Sequence, residues 1–251
     1  MKKYAAGLIL TLLLFAGCKK SEINQVDLKG TIKGEIQTMD EFGYGINDVN
    51  NIVVRLDGSE PLLSAITDST GCYEINDIPS GTYNIIVSKE GYGEYQRQGF
   101  QIVGGKEPLY FNGSIVEKSS TTIDDLSLEI VNGTDIYLKC IVNHTYSASH
   151  GNNQIPAIRY FINNTDNPSD TNYLQTNIAG FEGESGTQLF SLVYLNEDLF
   201  PSGSKIYIRA YGCNGVWGTY LYLYGYYDIL LNQYVDVTLG KASNIASIIV
   251  P

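Results

Sequence analysis

Apolar side chains recur at every second position in a long series of short runs along this 251-residue chain, and no stretch keeps a helical period for three turns. Period two is the spacing of a strand with one buried face. Between Gly30 and Lys118 the spacing predicts strands at Thr31–Ile36, Asn51–Leu56, Ser64–Thr67, Tyr73–Ile75, Tyr83–Ser88, Gln98–Val103 and Leu109–Val116. Gly, Asn, Asp and Pro punctuate them at the interval of a β-sandwich. The segment TDSTGCYEINDIPSGTYNIIVSKEGYG is the most ordered. Asp68 and Gly71 are turn formers, Tyr73 and Ile75 point inward, and Pro79, Ser80 and Gly81 make a tight turn. Tyr83, Ile85 and Val87 then resume the inward face, and Gly91 and Gly93 end the strand.

A second series begins near Thr121, at Asp125–Val131, Asp135–Val142, Ile158–Ile162, Tyr173–Ile178, Gln188–Leu195, Lys205–Tyr211, Thr219–Tyr224, Tyr234–Leu239 and Ala246–Val250. The expected fold class is all-β, with two consecutive β-sandwich domains at 29–118 and 119–251.

The first series resembles the carboxypeptidase regulatory-like domain. The residues that carry the likeness are Gly30-Thr31-Ile32, Thr67-Asp68, Gly71, Tyr73, Pro79 to Tyr83 and Gly91-Tyr92. The resemblance implies a seven-stranded sandwich of transthyretin-like topology and an accessory module without catalytic residues. Two departures are Cys72, where a polar residue is usual, and the insertion MDEFGYGINDVN, expected as an exposed loop. The later segment LFPSGSKIYIRAYGCNGVWGTY resembles the late strands of fibronectin type III-like domains. There the matching positions are Leu199, Pro201, Gly203, Ile208, Arg209, Ala210, Asn214 and Gly215, while the corner tyrosine of that fold falls on Ile206.

The amino terminus has Lys2 and Lys3, an apolar run from Ala5 to Ala16, and Phe15-Ala16-Gly17-Cys18. This is the pattern of a secretory signal (1–17), and its end resembles the lipobox of bacterial lipoproteins. The resemblance implies lipidation of Cys18, a polar tether over 18–28 and anchoring in a membrane without a spanning helix. The two lysines after the cysteine do not resemble the aspartate that retains lipoproteins at the inner membrane in some Gram-negative bacteria, so the outer membrane is expected, with the cell-surface or periplasmic face left open.

In WGTYLYLYGYYD, Leu221 and Leu223 share one parity and Tyr220, Tyr222 and Tyr224 the other, with Trp217 at the head. The preceding strand sets Tyr207, Arg209 and Tyr211 opposite Ile206, Ile208 and Ala210. Two readings stand: a ligand surface of aromatic planes suited to sugar rings or a protein partner, or tyrosines packed under a covering loop.

The remaining residues bound the chemistry. A formal charge of −11 disfavours nucleic acid. With Cys18 assigned to lipid, Cys72, Cys140 and Cys213 leave at least one free thiol, and strand parity argues against pairing Cys140 with Cys213. His144 and His150 lack metal-ligand spacing, and the run Asn163 to Asp170 reads as a turn more readily than as a calcium loop. Asp124 and Asp125 are adjacent, which on a regular strand sends them to opposite faces. The expectation is a non-catalytic, cofactor-free, membrane-anchored binding module for glycan or protein. Its alternative is a structural or adhesion protein whose sandwiches space or assemble, marked by a donated or exposed edge strand such as the tail SNIASIIVP.

Overall fold

The computed structural model describes residues 28–145, 156–213, 225–228, 233–236 and 238–251. Among these residues the protein is all-β and contains no helix. The strands are β1 (Lys29–Met39), β2 (Gly45–Ile46), β3 (Val53–Asp57), β4 (Leu63–Ile66), β5 (Cys72–Pro79), β6 (Gly81–Ser88), β7 (Tyr95–Ile102), β8 (Leu109–Tyr110) and β9 (Gly113–Val116). They continue with β10 (Thr122–Val131), β11 (Asp135–Asn143), β12 (Ala157–Asn163), β13 (Gln175–Gly180), β14 (Thr187–Leu192), β15 (Lys205–Cys213), β16 (Gly225–Asp228), β17 (Gln233–Asp236) and β18 (Ala242–Ile249). Each expected run overlaps an observed strand except Thr219–Tyr224, which lies outside the described residues.

Through residue 116 two sheets face each other. One has the order β2-β1-β5, with β8 and β9 running parallel to β1; the other is β4-β3-β6-β7. Their inner faces enclose Ile32, Ile36, Val54, Leu56, Ile75, Ile85 and Val87. The inward tyrosines bring their hydroxyls into this apolar layer and satisfy them on backbone: Tyr73 Oη donates to Phe111 O at 2.9 Å, and Tyr83 Oη to Pro79 O at 2.9 Å. The turn before β5 is built as its residues require. Asp68 Oδ1 accepts from Thr70 N at 2.8 Å and Cys72 N at 3.1 Å, and Gly71 sits at φ +82° with Ile36 O where a Cβ would stand.

The insertion after β1 is not a free loop. Met39 and Thr38 pair with Gly45 and Ile46, and Asp40 Oδ1 accepts from Phe42 N and Tyr44 N, each at 2.9 Å. Its Glu41 carboxylate also accepts from Ser120 N at 2.8 Å, tying the insertion to the segment that leads into β10. Polar composition marks the turn but not where its carboxylates dock.

The second pair of sheets is β10-β11-β14 and β13-β12-β15-β18. Between them lie Leu126, Ile136, Leu138, Cys140, Val142, Ile158, Tyr160, Ile162, Phe200, Ile206, Ile208 and Ala210. A bulge interrupts β10 between Asp124 and Ser127, with Asp125 at φ +54°. The extra residue breaks the alternation, so Asp124 and Asp125 are both exposed rather than on opposite faces. Asn244 of β18 repairs the bulge: its Oδ1 accepts from Leu126 N at 3.0 Å and its Nδ2 donates to Leu126 O at 2.8 Å. The tail proposed as a donated strand is thus β18 itself, paired with β15 of the same chain.

Candidate functional site

The expected parity of β15 holds. Ile206, Ile208 and Ala210 are fully buried in the core, and Tyr207, Arg209 and Tyr211 occupy the opposite face. That face is roofed rather than open. Phe161 of β12 meets Tyr211 edge-on at 5.6 Å and Tyr173 at 5.1 Å, and these rings join Ala157, Ile178, Cys213 and Leu239 in a second apolar layer. Tyr207, Arg209 and Tyr211 are each half-buried. Arg159, 5% exposed on the same face, pairs with Asp236 at Nη1–Oδ2 3.1 Å, while Asp236 Oδ1 accepts from Thr238 N and Oγ1, each at 2.9 Å. Burial pushes the Asp170 carboxyl up, with the Asp236 charge adding to it; burial likewise raises Tyr211, opposed by its hydrogen bond from Arg209. On this side β12 presents Ala157, Arg159, Phe161 and Asn163, and all seven residues of the strand are buried. Trp217, Tyr220, Tyr222 and Tyr224 lie outside the described residues, as do Cys18 and His150.

The other singled-out residues have structural partners. In the run from Asn163, the Asn163 side chain accepts from Asn164 N at 2.8 Å and donates to Asn172 Oδ1 at 3.0 Å, which is turn chemistry. His144 Nε2 lies 3.2 Å from Gly183 O, with its ring edge-on to Phe181. Cys140 sits in the core and Cys213 in the second apolar layer on the other side of the sheet; both thiols are free and buried, and Cys72 is exposed.

Among the described residues, an exposed aromatic surface lies on β14 and the chain that follows it. Leu189 and Val193 point into the core, so Phe190, Leu192 and Tyr194 share the outer side. Tyr194 is 72% exposed, the highest value of any large hydrophobic residue described. Its backbone is nonetheless held firmly. Tyr194 O accepts from Gln175 Nε2 at 2.6 Å and Asn177 Nδ2 at 3.1 Å, and Gln175 Oε1 accepts from Asn196 N at 2.9 Å. Val193 N bonds Ile136 O on one side, and the buried Phe200 anchors the segment on the other, its N bonding Asn196 O.

Tyr194 stands at the rim of a groove of about 810 Å³. Its floor is the outer end of the core, Ile136, Val193 and Phe200, with Leu192 and Val250 beside them; its rim carries Asp135, Glu197 and Asp198. The hairpin turn Asn132-Gly133, both residues at positive φ, delivers Asp135 to this rim. Among the described residues no ion pair engages Asp135, Glu197 or Asp198. Next to the groove, Leu192 lies opposite Tyr137 in register, and Tyr137 stacks on Phe190 with centroids 4.3 Å apart and planes 7° apart. Lys139 Nζ sits 6.0 Å from the Phe190 ring and 3.1 Å from Glu129 Oε2. This site was hidden in the sequence because QLFSLVYL is apolar on both parities, so alternation gives no phase.

Residues 31–112 match the family model for the carboxypeptidase regulatory-like domain, about a third of the chain. Among solved structures, the chain is similar to a protein from Bacteroides uniformis described as a "putative carbohydrate binding protein", at 15% identity and TM-score 0.36, covering 88% of this chain and 98% of that one. It is also similar to a DUF3823 family protein from Bacteroides uniformis, at 16% identity and TM-score 0.34, covering 89% and 100%. A third, a DUF3823 family protein from Parabacteroides merdae, gives 12% identity and TM-score 0.31 over 85% and 98%. No curated protein matches the chain.

Proposed function

We propose that this chain is a non-catalytic binding lipoprotein, anchored through Cys18 in the outer membrane, that captures glycan in the groove beside Tyr194. Its division is a regulatory-like sandwich over 29–118 and a fibronectin type III-like sandwich over 119–251, following the signal (1–17) and tether (18–28). The observation that carries the reading is the pairing of high exposure with a fixed backbone at Tyr194. An exposed ring on a loose loop loses backbone conformational entropy when it binds; one whose backbone carbonyl is held by two amide donors has lost that share already. A tyrosine face packs on the C–H face of a sugar ring, and rim carboxylates accept hydrogen bonds from sugar hydroxyls.

The adhesion reading is not favoured, because the strand that would be donated, β18, already pairs within its own chain. The reading is tested with the form beginning at Ser21 on a glycan array, compared with Tyr194→Ala. Loss of glycan retention in the variant, with an unchanged melting curve, is the expected result. Equal retention by both forms, or none by either, rejects it.

A further inference from the structure

We infer that the ligand is an extended, uncharged oligosaccharide chain that runs from the Tyr194 groove across Leu192 to the Tyr137–Phe190 stack; this rests on the glycan-binding reading of the groove. Three observations carry it. First, the two aromatic features are one continuous surface. Leu192 lines the groove and also lies opposite Tyr137, whose ring stacks on Phe190. Phe190 and Tyr194 are separated by four residues of extended chain, about 13 Å. That span exceeds one sugar ring, so a single sugar reaches the groove or the stack, not both.

Second, the Tyr194 end of the surface is closed to the obvious competitor, an extended peptide adding as a strand. β14 is the edge of its sheet, but at the Tyr194 end the β13 amides Gln175 and Asn177 already occupy the carbonyl an added strand would need. A ligand there must bind through side chains, as a sugar chain does.

Third, the charge selects against anions. Asp135, Glu197 and Asp198 line the groove without a cation among the described residues, and the single lysine at the far end, Lys139, is already paired with Glu129. The chain's formal charge of −11 adds long-range repulsion of uronate or sulfated polymers.

The stack itself offers less to a sugar than Tyr194 does. One face of Phe190 is taken by Tyr137, so ring edges and the 49% of Phe190 still exposed form a distal rest rather than a clamp. The groove is therefore the main site and the stack an extension.

The test is calorimetric titration of the Ser21 form with a size series of cello-, xylo- and manno-oligosaccharides, monosaccharide through hexasaccharide. In the series that binds, affinity rises with length and then levels off. Tyr194→Ala weakens every length by about tenfold or more. Phe190→Ala weakens only the long members, by about threefold to tenfold, and leaves short ones unchanged. If Tyr194→Ala weakens binding but Phe190→Ala acts equally on all lengths or on none, the extended path is wrong and the groove stands. If no member binds, or Tyr194→Ala is silent, the glycan reading fails and this inference with it. Tighter binding of heparin fragments than of any neutral oligomer overturns the charge argument alone. Phe190→Leu, which keeps an apolar side chain on the strand, controls for loss of sheet stability.

Discussion

Arg159 and Asp236 meet at 3.1 Å with side chains only 6% and 9% exposed, on the side of the β12 sheet away from the main core. Their pairing joins the 233–236 strand to β12 and so roofs the face that carries Tyr207, Arg209 and Tyr211. Removing one member strands the other charge in a dry layer. Asp236→Ala is expected to cost about 3–5 kcal/mol, whereas the joint change Arg159→Met with Asp236→Leu costs far less. Urea unfolding of both variants measures this; equal, small losses contradict the pairing as described.

Preorganisation at Tyr194 predicts a separation of binding from stability. Gln175→Ala removes the donor to Tyr194 O and the acceptor of Asn196 N, two hydrogen bonds of about 1 kcal/mol each. Part of that loss falls on the bound state, so glycan affinity is expected to drop about fivefold to tenfold. The melting temperature should fall by only a few degrees. Unchanged affinity in Gln175→Ala argues that the loop's rigidity plays no part.

Thiol reactivity follows burial. Burial pushes the Cys140 thiol up to about 12, and it pushes Cys213 up as well, with the Asp236 charge adding and Arg159 opposing. Cys72 is exposed. Iodoacetamide at mildly alkaline pH should label Cys72 alone in the folded Ser21 form and all three thiols in urea, as read by peptide mass spectrometry. Rapid native labelling of Cys140 or Cys213 contradicts their placement.

Two carboxylates near the inserted turn give opposite pH slopes. Hydrogen bonds from Lys89 and then Tyr92 hold the Asp48 carboxyl below its ordinary 3.8, so its stabilisation is present above that value and lost as pH falls through the lowered one. Glu117 is raised above its ordinary 4.5 by burial first, then by Asp40 and Glu41. Its contribution is present below 4.5 and lost as pH rises through the raised value. Asp48→Asn should flatten the acid side of the melting curve against pH, and Glu117→Gln should raise the melting temperature at neutral pH. The reverse signs overturn these assignments.

The strands and their phase were legible where one parity is apolar and the other polar. Ile206, Ile208 and Ala210 against Lys205, Tyr207 and Arg209 is such a run, as is Tyr73 and Ile75 against Glu74 and Asn76. The Asp68 turn was legible because its hydrogen bonds are local. What sequence could not show is non-local. The ring packed beside Tyr211 is Phe161 of the neighbouring strand β12, far away in the chain, and the amides that fix Tyr194 come from β13. The phase of residues 188–195 was open because both of its faces are apolar, and burial alone puts Leu189 and Val193 inside. An aromatic row was expected on β15 and on residues 217–224; the latter lie outside the described residues, and among the described residues an exposed row is on β14.

The two aromatic surfaces are told apart most directly by proton–carbon NMR of ring-labelled tyrosines in the Ser21 form, titrated with the longest neutral oligosaccharide that binds. Tyr194 should show the largest shift and Tyr137 a smaller one, with Tyr207 and Tyr211 unmoved. Shifts centred on Tyr207 and Tyr211 with Tyr194 silent would contradict the assignment of the groove.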